Sequence, residues 1–243
     1  MKRKQLSFVI ASIALIALVI SAFAKVKPTV DERILAYTVD AKSQNIQLYW
    51  RDDQGLPFQS ILKLKSWLDS KHQNLQFATN GGMYTEDNTP KGLFISKRIT
   101  VVPLDTTSGN GNFYLKPNGV FYITGKQKAV VCKTSDFRMG SNILFATQSG
   151  PMLVIDGEIH VAFKEGSTNL NIRNGVGILP DNRVVFAMSK EPVNFYDFAK
   201  YFKDLGCKNA LYLDGFVSRT YLPEQKWTQT DGDFGVIIGV TSN

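Results

Sequence analysis

Histidine and cysteine are nearly absent from this 243-residue chain, at two residues each: His72, His160, Cys132 and Cys207. That scarcity excludes a cysteine-rich zinc site and a three-histidine zinc site, and no metal is expected. No G-x-S-x-G is present, so the usual serine-hydrolase elbow is missing, and a Ser-His-Asp arrangement would have to draw on one of only two histidines. A G-x-G-x-x-G after the first strand is also missing; Gly109-Asn110-Gly111 has no helix behind it, so a doubly wound nucleotide fold fits poorly and no cofactor is expected. Glu86-Asp87-Asn88 lacks the alternating acids and distant Glu of a calcium loop. Polar low complexity and coiled-coil bias are likewise missing, and with 44% hydrophobic and 20% charged residues the chain can build a sizeable core.

One long apolar run stands at the start. Lys2-Arg3-Lys4 precede an apolar stretch over 6–24 that ends in Ala22-Phe23-Ala24, the pattern of a cleaved export leader. Residues 1–24 therefore read as a signal peptide, or as an N-terminal membrane anchor if uncleaved, residues 25–30 as a linker, and 31–243 as one domain. The expected location is exported, periplasmic or secreted. Losing the leader's three basic residues lowers the net charge from +7 to +4. Such a weak bias argues against nucleic acid as a partner. Cys132 and Cys207 are candidates for a disulfide in an oxidising compartment.

Patterning within 31–243 predicts a single α+β domain of mixed, largely antiparallel sheet with two principal helices. A hairpin is expected from 34–39 and 46–50, and a helix from 61 to 71 should feed a strand over 75–79. A β meander follows over 92–131, including a strand at 113–115. Hairpins are expected around Asp156-Gly157 and around Pro180-Asp181-Asn182. The second helix runs from 194 to 205, capped by Asn194 and ended by Gly206, before a strand over 211–213. Laid over each other at an offset of 134, the two helix-strand segments match Asn80 with Asp214 and Gly81 with Gly215. Two pseudo-symmetric units of this kind would bring Asn80 and Asp214 to one cleft.

Four polar islands sit at strand ends. Asn80-Gly81-Gly82 reads as a turn whose positive-φ glycines bare amide hydrogens to an anion. Gln148-Ser149-Gly150-Pro151 is a tight polar element before an apolar strand. Arg173 in Asn171-Ile172-Arg173-Asn174-Gly175 offers a planar fork of donors suited to phosphate. Asp214, after the apolar 210–213, stands where a carboxylate can act as base, nucleophile or cation stabiliser. Lys91, Lys190 and Arg219 are candidates to add positive charge. His160 reads as a structural residue.

Taken in order, Asn80-Gly81-Gly82, Gln148-Ser149-Gly150-Pro151, Arg173 with 174–177, and Asp214-Gly215 with Ser218 resemble the phosphodiester glycosidase family. The resemblance covers most of 74–240 and implies hydrolysis at the anomeric carbon of a sugar-1-phosphodiester, of the N-acetylglucosamine-1-phosphodiester kind, to free sugar and a phosphomonoester. It implies catalytic roles for Asp214, Arg173 and Asn80, with Gly81, Gly82, Gln148, Ser149, Gly150 and Ser218 holding substrate. The second acid of such a site stays open among Glu191, Asp156 and Asp233. Phe216 and Val217 depart from the further glycines that members commonly carry, and this departure favours the alternative of a non-catalytic carbohydrate-binding module.

Overall fold

A computed structural model describes residues 31–215 and 217–242. The proposed leader, the linker and Phe216 lie outside the described residues. Sixteen strands form three sheets, and two α-helices are present among the described residues.

Sheet I has six strands in the order β1, β12, β11, β13, β9, β10. Their ranges are Ile34–Val39 (β1), Val184–Ser189 (β12), Asn174–Ile178 (β11), Ala210–Tyr212 (β13), Met152–Ile155 (β9) and Glu158–Ile159 (β10). Sheet II runs β15 (Trp227–Thr228), β14 (Thr220–Leu222), β3 (Asn74–Gly82), β16 (Val236–Ser242), β2 (Asn45–Tyr49). Sheet III runs β5 (Ile99–Val102), β4 (Phe94–Ser96), β8 (Ile143–Ser149), β6 (Gly119–Thr124), β7 (Ala129–Lys133). Every strand pairing in the three sheets is antiparallel.

One core joins the inner faces of all three sheets, and its centre is aromatic. Phe186 stacks on Phe77 at 5.2 Å and meets Phe121 edge-on at 5.8 Å, so one ring from each sheet occupies the same spot. Alternation explains the unbroken apolar run in β12. Val184, Phe186 and Met188 enter this core, while Val185 and Ala187 face a second core under the helix α2, Phe195–Asp204. The same logic covers β16, where Val236, Ile238 and Val240 point inward and Ile237 points to the helix α1, Ile61–Ser70.

Both helices form where periodicity predicts, and the second also where its cap does. Ser60 Oγ accepts from Lys63 N at 3.3 Å to open α1, and Ile61, Leu64 and Leu68 are its buried stripe. Asn194 Oδ1 accepts from Asp197 N at 2.8 Å to open α2, whose Phe198, Ala199 and Phe202 face sheet I; Gly206 takes φ 80° just beyond its end.

Three expectations are corrected. First, β1 and β2 do not pair: β1 joins β12 and β2 joins β16, because two apolar runs in succession serve two sheets whose edges need closing. Second, 113–115 is no strand; Asn112–Tyr114 is a single 3-10 turn that buries Phe113. Third, sheet III is not a plain meander, since β8 inserts between the β4-β5 and β6-β7 hairpins. The hairpins at 156–157 and 180–182 form as expected. Cys132 and Cys207 are both free thiols: one is half-buried on β7 and the other is buried among Phe202 and its neighbours.

Because Phe186 holds one ring from each of the other two sheets, Phe186→Ala is expected to lower the unfolding free energy by about 3–5 kcal/mol, read as a reduced midpoint in urea at unchanged slope.

Candidate active site

Antiparallel pairing sets Gly175 opposite Tyr212, and the next residues outward, Asn174 and Leu213, are linked by Leu213 N donating to Asn174 O at 3.1 Å. Beyond that point the chain leaves the ladder, and its backbone groups need other partners. Side chains supply them. Asp214 N donates to Asn174 Oδ1 at 2.9 Å, and Asp214 O accepts from Asn80 Nδ2 at 3.0 Å and from Ser218 Oγ at 2.8 Å. One residue earlier, Leu213 O accepts from Ser149 Oγ at 2.5 Å.

Two asparagines from different sheets form the middle of this clamp. Because Asn174 Oδ1 must accept from Asp214, its Nδ2 points the other way, to Asn80 O at 2.8 Å and Asn80 Oδ1 at 3.0 Å. Asn80 Oδ1 also accepts from Arg219 N at 3.0 Å. Asn80, Asn174, Ser149 and Ser218 are all buried, and Asp214 is 9% exposed, so the acid stands at the rim of a closed polar network. Asn80 and Asp214 thus meet in one place, bridging sheets II and I.

Arg173 precedes Asn174 and lies beside the same strand end. Its guanidinium is 1% exposed and sits 3.6 Å over the Phe195 ring and 5.7 Å from the Tyr212 ring centre. Nε donates to Val193 O at 2.8 Å and Nη2 to Asn169 O at 2.9 Å. Burial pulls its pKa down, and the Tyr212 hydroxyl opposes that pull. Arg173 is therefore a sequestered positive charge, held by backbone carbonyls behind the rim.

Tyr212 is the residue that sequence reasoning missed, having counted it only as part of an apolar strand. Its hydroxyl is hydrogen-bonded by Arg173 and by the Gly215 backbone, and burial pushes its pKa up to about 12. A Cβ at Gly215 would collide with that hydroxyl. The glycine of the Asp-Gly pair is thus required by the close approach of a ring three residues earlier in the chain. Tyr84 was also missed. Burial first, then the carboxylates of Asp214 and Asp233, raise its pKa to about 12.

The remaining predicted residues are placed as follows. Gly81 and Gly82 do not turn: β3 runs through both, neither has positive φ, and this corrects the expectation of a bared amide nest. Side-chain room explains them, since a Cβ at Gly81 would lie 2.6 Å from Ile238 Cγ1 and one at Gly82 would lie 2.5 Å from Thr147 Oγ1. Gln148 is spent on structure. Its Oε1 accepts from Leu93 N and Asp105 N, both at 2.9 Å, and its Nε2 donates to Asp105 O at 2.6 Å. Gly150 packs against Asn118, where a Cβ would come within 2.6 Å. Lys91 lays its ammonium 4.6 Å from the Tyr114 ring centre, Lys190 is exposed, and Arg219 turns its guanidinium to Asp231 at 2.9 Å. His160 Nδ1 accepts from Ala162 N, which leaves Nε2–H to donate to Lys116 O at 3.0 Å; burial lowers its pKa, and it is a neutral, structural imidazole.

Comparison with known proteins gives a consistent picture. The sequence profile described as phosphodiester glycosidase matches residues 73–238. The Escherichia coli (strain K12) protein YigE, itself uncharacterised, is 38% identical over 190 residues, which are 78% of this chain and 74% of that protein. Among solved structures, the catalytic domain of zebrafish N-acetylglucosamine-1-phosphodiester alpha-N-acetylglucosaminidase, auto-inhibited by its pro-peptide, superposes with a TM-score of 0.56 at 16% identity, covering 86% of this chain and 82% of that one. A hypothetical protein from Synechocystis superposes with a TM-score of 0.54 at 12% identity, covering 86% and 59%.

Two outcomes follow from the clamp. Asn174→Ala leaves buried partners in both sheets without a hydrogen bond, so the unfolding free energy should fall by about 1–3 kcal/mol for each group stranded, measured by urea denaturation. The Tyr212 hydroxyl sets a pH dependence with a definite sign. Its pKa of about 12 when folded exceeds the ordinary 10.0, so its stabilisation is present below pH 10 and is lost as pH rises through about 12. Unfolding free energies measured across that range should decline less steeply for Tyr212→Phe than for the wild type.

Proposed function

The chain belongs to the phosphodiester glycosidase family, and from that premise we propose that it is an exported glycosidase that hydrolyses a sugar-1-phosphodiester to free sugar and a phosphomonoester. The observation that carries the reading is the double clamp on Asp214: Asn174 from sheet I takes its N–H and Asn80 from sheet II takes its carbonyl. A carboxylate whose backbone is held from both sides cannot drift as charge develops opposite it, and preorganisation of that kind is what makes electrostatic stabilisation effective.

In the reaction, the bond between the anomeric carbon and the phosphate oxygen breaks, and its electron pair stays with phosphate. Water adds to the anomeric carbon, and the sugar leaves with a free hydroxyl. Phosphate already bears charge and departs readily, so the site needs little protonation of the leaving group. It needs a carboxylate beside the cationic sugar and positive potential near the phosphate. Asp214 supplies the first. Arg173 supplies the second from behind, because burial leaves its charge weakly screened even though its N–H groups are engaged with Val193 and Asn169. Asn80 and Ser218 act on Asp214 itself, and Gly81 and Gly82 let β3, which carries Asn80, pack closely against Ile238 and Thr147. Support for export is the basic, apolar and small-residue order of 1–24.

The test is to incubate the protein with the nitrophenyl phosphodiester of N-acetylglucosamine-1-phosphate, using ordinary nitrophenyl glycosides as controls, and to assay free sugar. Wild-type protein should release sugar from the phosphodiester. Asp214→Asn should lower kcat by about 10²-fold or more while the protein stays folded. Asp214→Asn with wild-type turnover removes Asp214 from the chemistry, and binding without turnover by the wild type returns the carbohydrate-binding reading.

A further inference from the structure

The hydrolase reading leaves the attacking water without a base, and three acids stood open for that role. Asp156 is exposed on the β9-β10 hairpin and pairs with Lys133 at 3.3 Å and Lys208 at 4.0 Å. Glu191 is exposed, and Arg33 is the group that feels its charge. Asp233 differs from both.

Asp233 stands three residues before β16, at the end where Val236 pairs with Gly82. Its Oδ1 accepts from Asn88 Nδ2 at 2.9 Å. Asn88 is buried and is held in its turn: Oδ1 accepts from Gln59 Nε2 at 3.0 Å, and its carbonyl accepts from Trp50 Nε1 at 2.8 Å. Gln59 Oε1 accepts from Lys63 Nζ at 2.7 Å. A row of three polar side chains therefore ends on one carboxylate oxygen. Gln59 and Asn88 take φ of 60° and 61°, a left-handed conformation that is costly for residues with a Cβ and that persists where surroundings over-determine it. The segment after Asp233 is pressed home as well. Phe234 N donates to Gln59 O at 2.6 Å, and a Cβ at Gly235 would lie 2.6 Å from Tyr84 Cβ.

Strand pairing connects this row to the clamp: Val236, three residues after Asp233, pairs with Gly82, and Asn80, two residues before Gly82 on the same strand, holds the carbonyl of Asp214; Tyr84, packed on Gly235, lies in the field of both acids. The two acids differ in environment: Asp214 is nearly closed off, and Asp233 is exposed. Distinct surroundings for two carboxylates at one site are what separates their roles in glycoside hydrolysis.

We propose that Asp233 is the second acid of this site, taking the proton from the attacking water, and that Asn88, backed by Gln59 and Lys63, positions it. The proposal rests on the hydrolase reading. Water oxygen forms its bond to the anomeric carbon and gives its proton to Asp233, and the carbon–oxygen bond to phosphate breaks with its electron pair leaving on the phosphomonoester. Asp233 then returns the proton to solvent, to which it is open. The groups facing Asp233 are Asn88 and Tyr84 from the 84–90 loop, Asp214 across Tyr84, and Asp231 nearby, itself paired with Arg219.

The experiment compares wild type, Asp233→Ala, Asp233→Asn and Asn88→Ala on the nitrophenyl phosphodiester, with and without added azide. Both Asp233 variants should lose about 10²–10⁴-fold in kcat at a KM within about threefold of wild type. Azide, which needs no base, should restore substrate consumption by Asp233→Ala with glycosyl azide as product. Asn88→Ala should lower kcat about tenfold at a KM within about threefold of wild type and should gain turnover from azide in the same way, as a positioning role requires. Wild-type turnover with either Asp233 variant within threefold in kcat overturns this assignment alone, as does loss of activity that azide does not rescue. A wild type with no turnover overturns the hydrolase reading and the assignment with it.

Discussion

The contact on which the site depends is made by two side-chain amides across two sheets. Asn174 and Asn80 hydrogen-bond each other and then each takes one backbone group of Asp214. An unpaired buried amide costs more than a formed hydrogen bond contributes, so the arrangement is held by the penalty of breaking any member. Sheets I and II are thereby registered to each other at the point where the acid sits. The shared aromatic core at Phe186, Phe77 and Phe121 brings the sheets together without fixing that register, because apolar packing tolerates small slides that a hydrogen-bonded amide pair does not.

Around that anchor, tight backbone approaches explain most of the glycines that looked functional. Gly215 is glycine because the Tyr212 hydroxyl occupies the space of a Cβ, and Gly82 because Thr147 does. A side chain at Gly215 would displace the Tyr212 ring, and one at Gly82 would push β3 away from β8. Arg173 fits the same scheme. Its guanidinium, stacked on Phe195, accepts a desolvation cost that only its carbonyl partners and Tyr212 offset. A cation kept in such a place at such a cost contributes a standing positive potential at the strand end, and that potential survives salt that would screen a surface arginine.

Much of this was legible from residues alone. Helices α1 and α2 follow from caps and a 3.6-residue stripe, and the hairpins at Asp156-Gly157 and Pro180-Asp181-Asn182 follow from local turn chemistry. The offset of 134 that aligned Asn80 with Asp214 is also the sequence separation of the hydrogen bond between them. What failed was non-local. Nothing in 34–50 says that its two strands belong to different sheets, because each needs a partner some 140 or more residues away, as the pairings Ile34 with Ser189 and Asn45 with Thr241 require. The structural bonds of Gln148 were hidden for the same reason: its three backbone partners at Leu93 and Asp105 lie across the sheet and leave no trace near it in the chain. Glycine pairs carry a similar ambiguity, since a missing side chain reads alike whether the backbone turns or a neighbour intrudes.

The two acids illustrate how one strand-end geometry yields different chemistry. Asp214 has its backbone N–H and carbonyl both taken by side chains, so the point from which its carboxylate projects is set by the clamp. Asp233 has one carboxylate oxygen held by Asn88, while its backbone enters β16 in ordinary pairing three residues on. Fixing the main chain and fixing the side chain are separate ways to hold a charge, and they leave different freedoms. A main-chain clamp fixes the point from which the carboxylate projects. A side-chain clamp keeps one oxygen committed, so proton transfer must run through the other. Tyr84, whose hydroxyl stays protonated well past neutrality, lies in the field of both acids, so the charge on each carboxylate adds to the cost of ionising it.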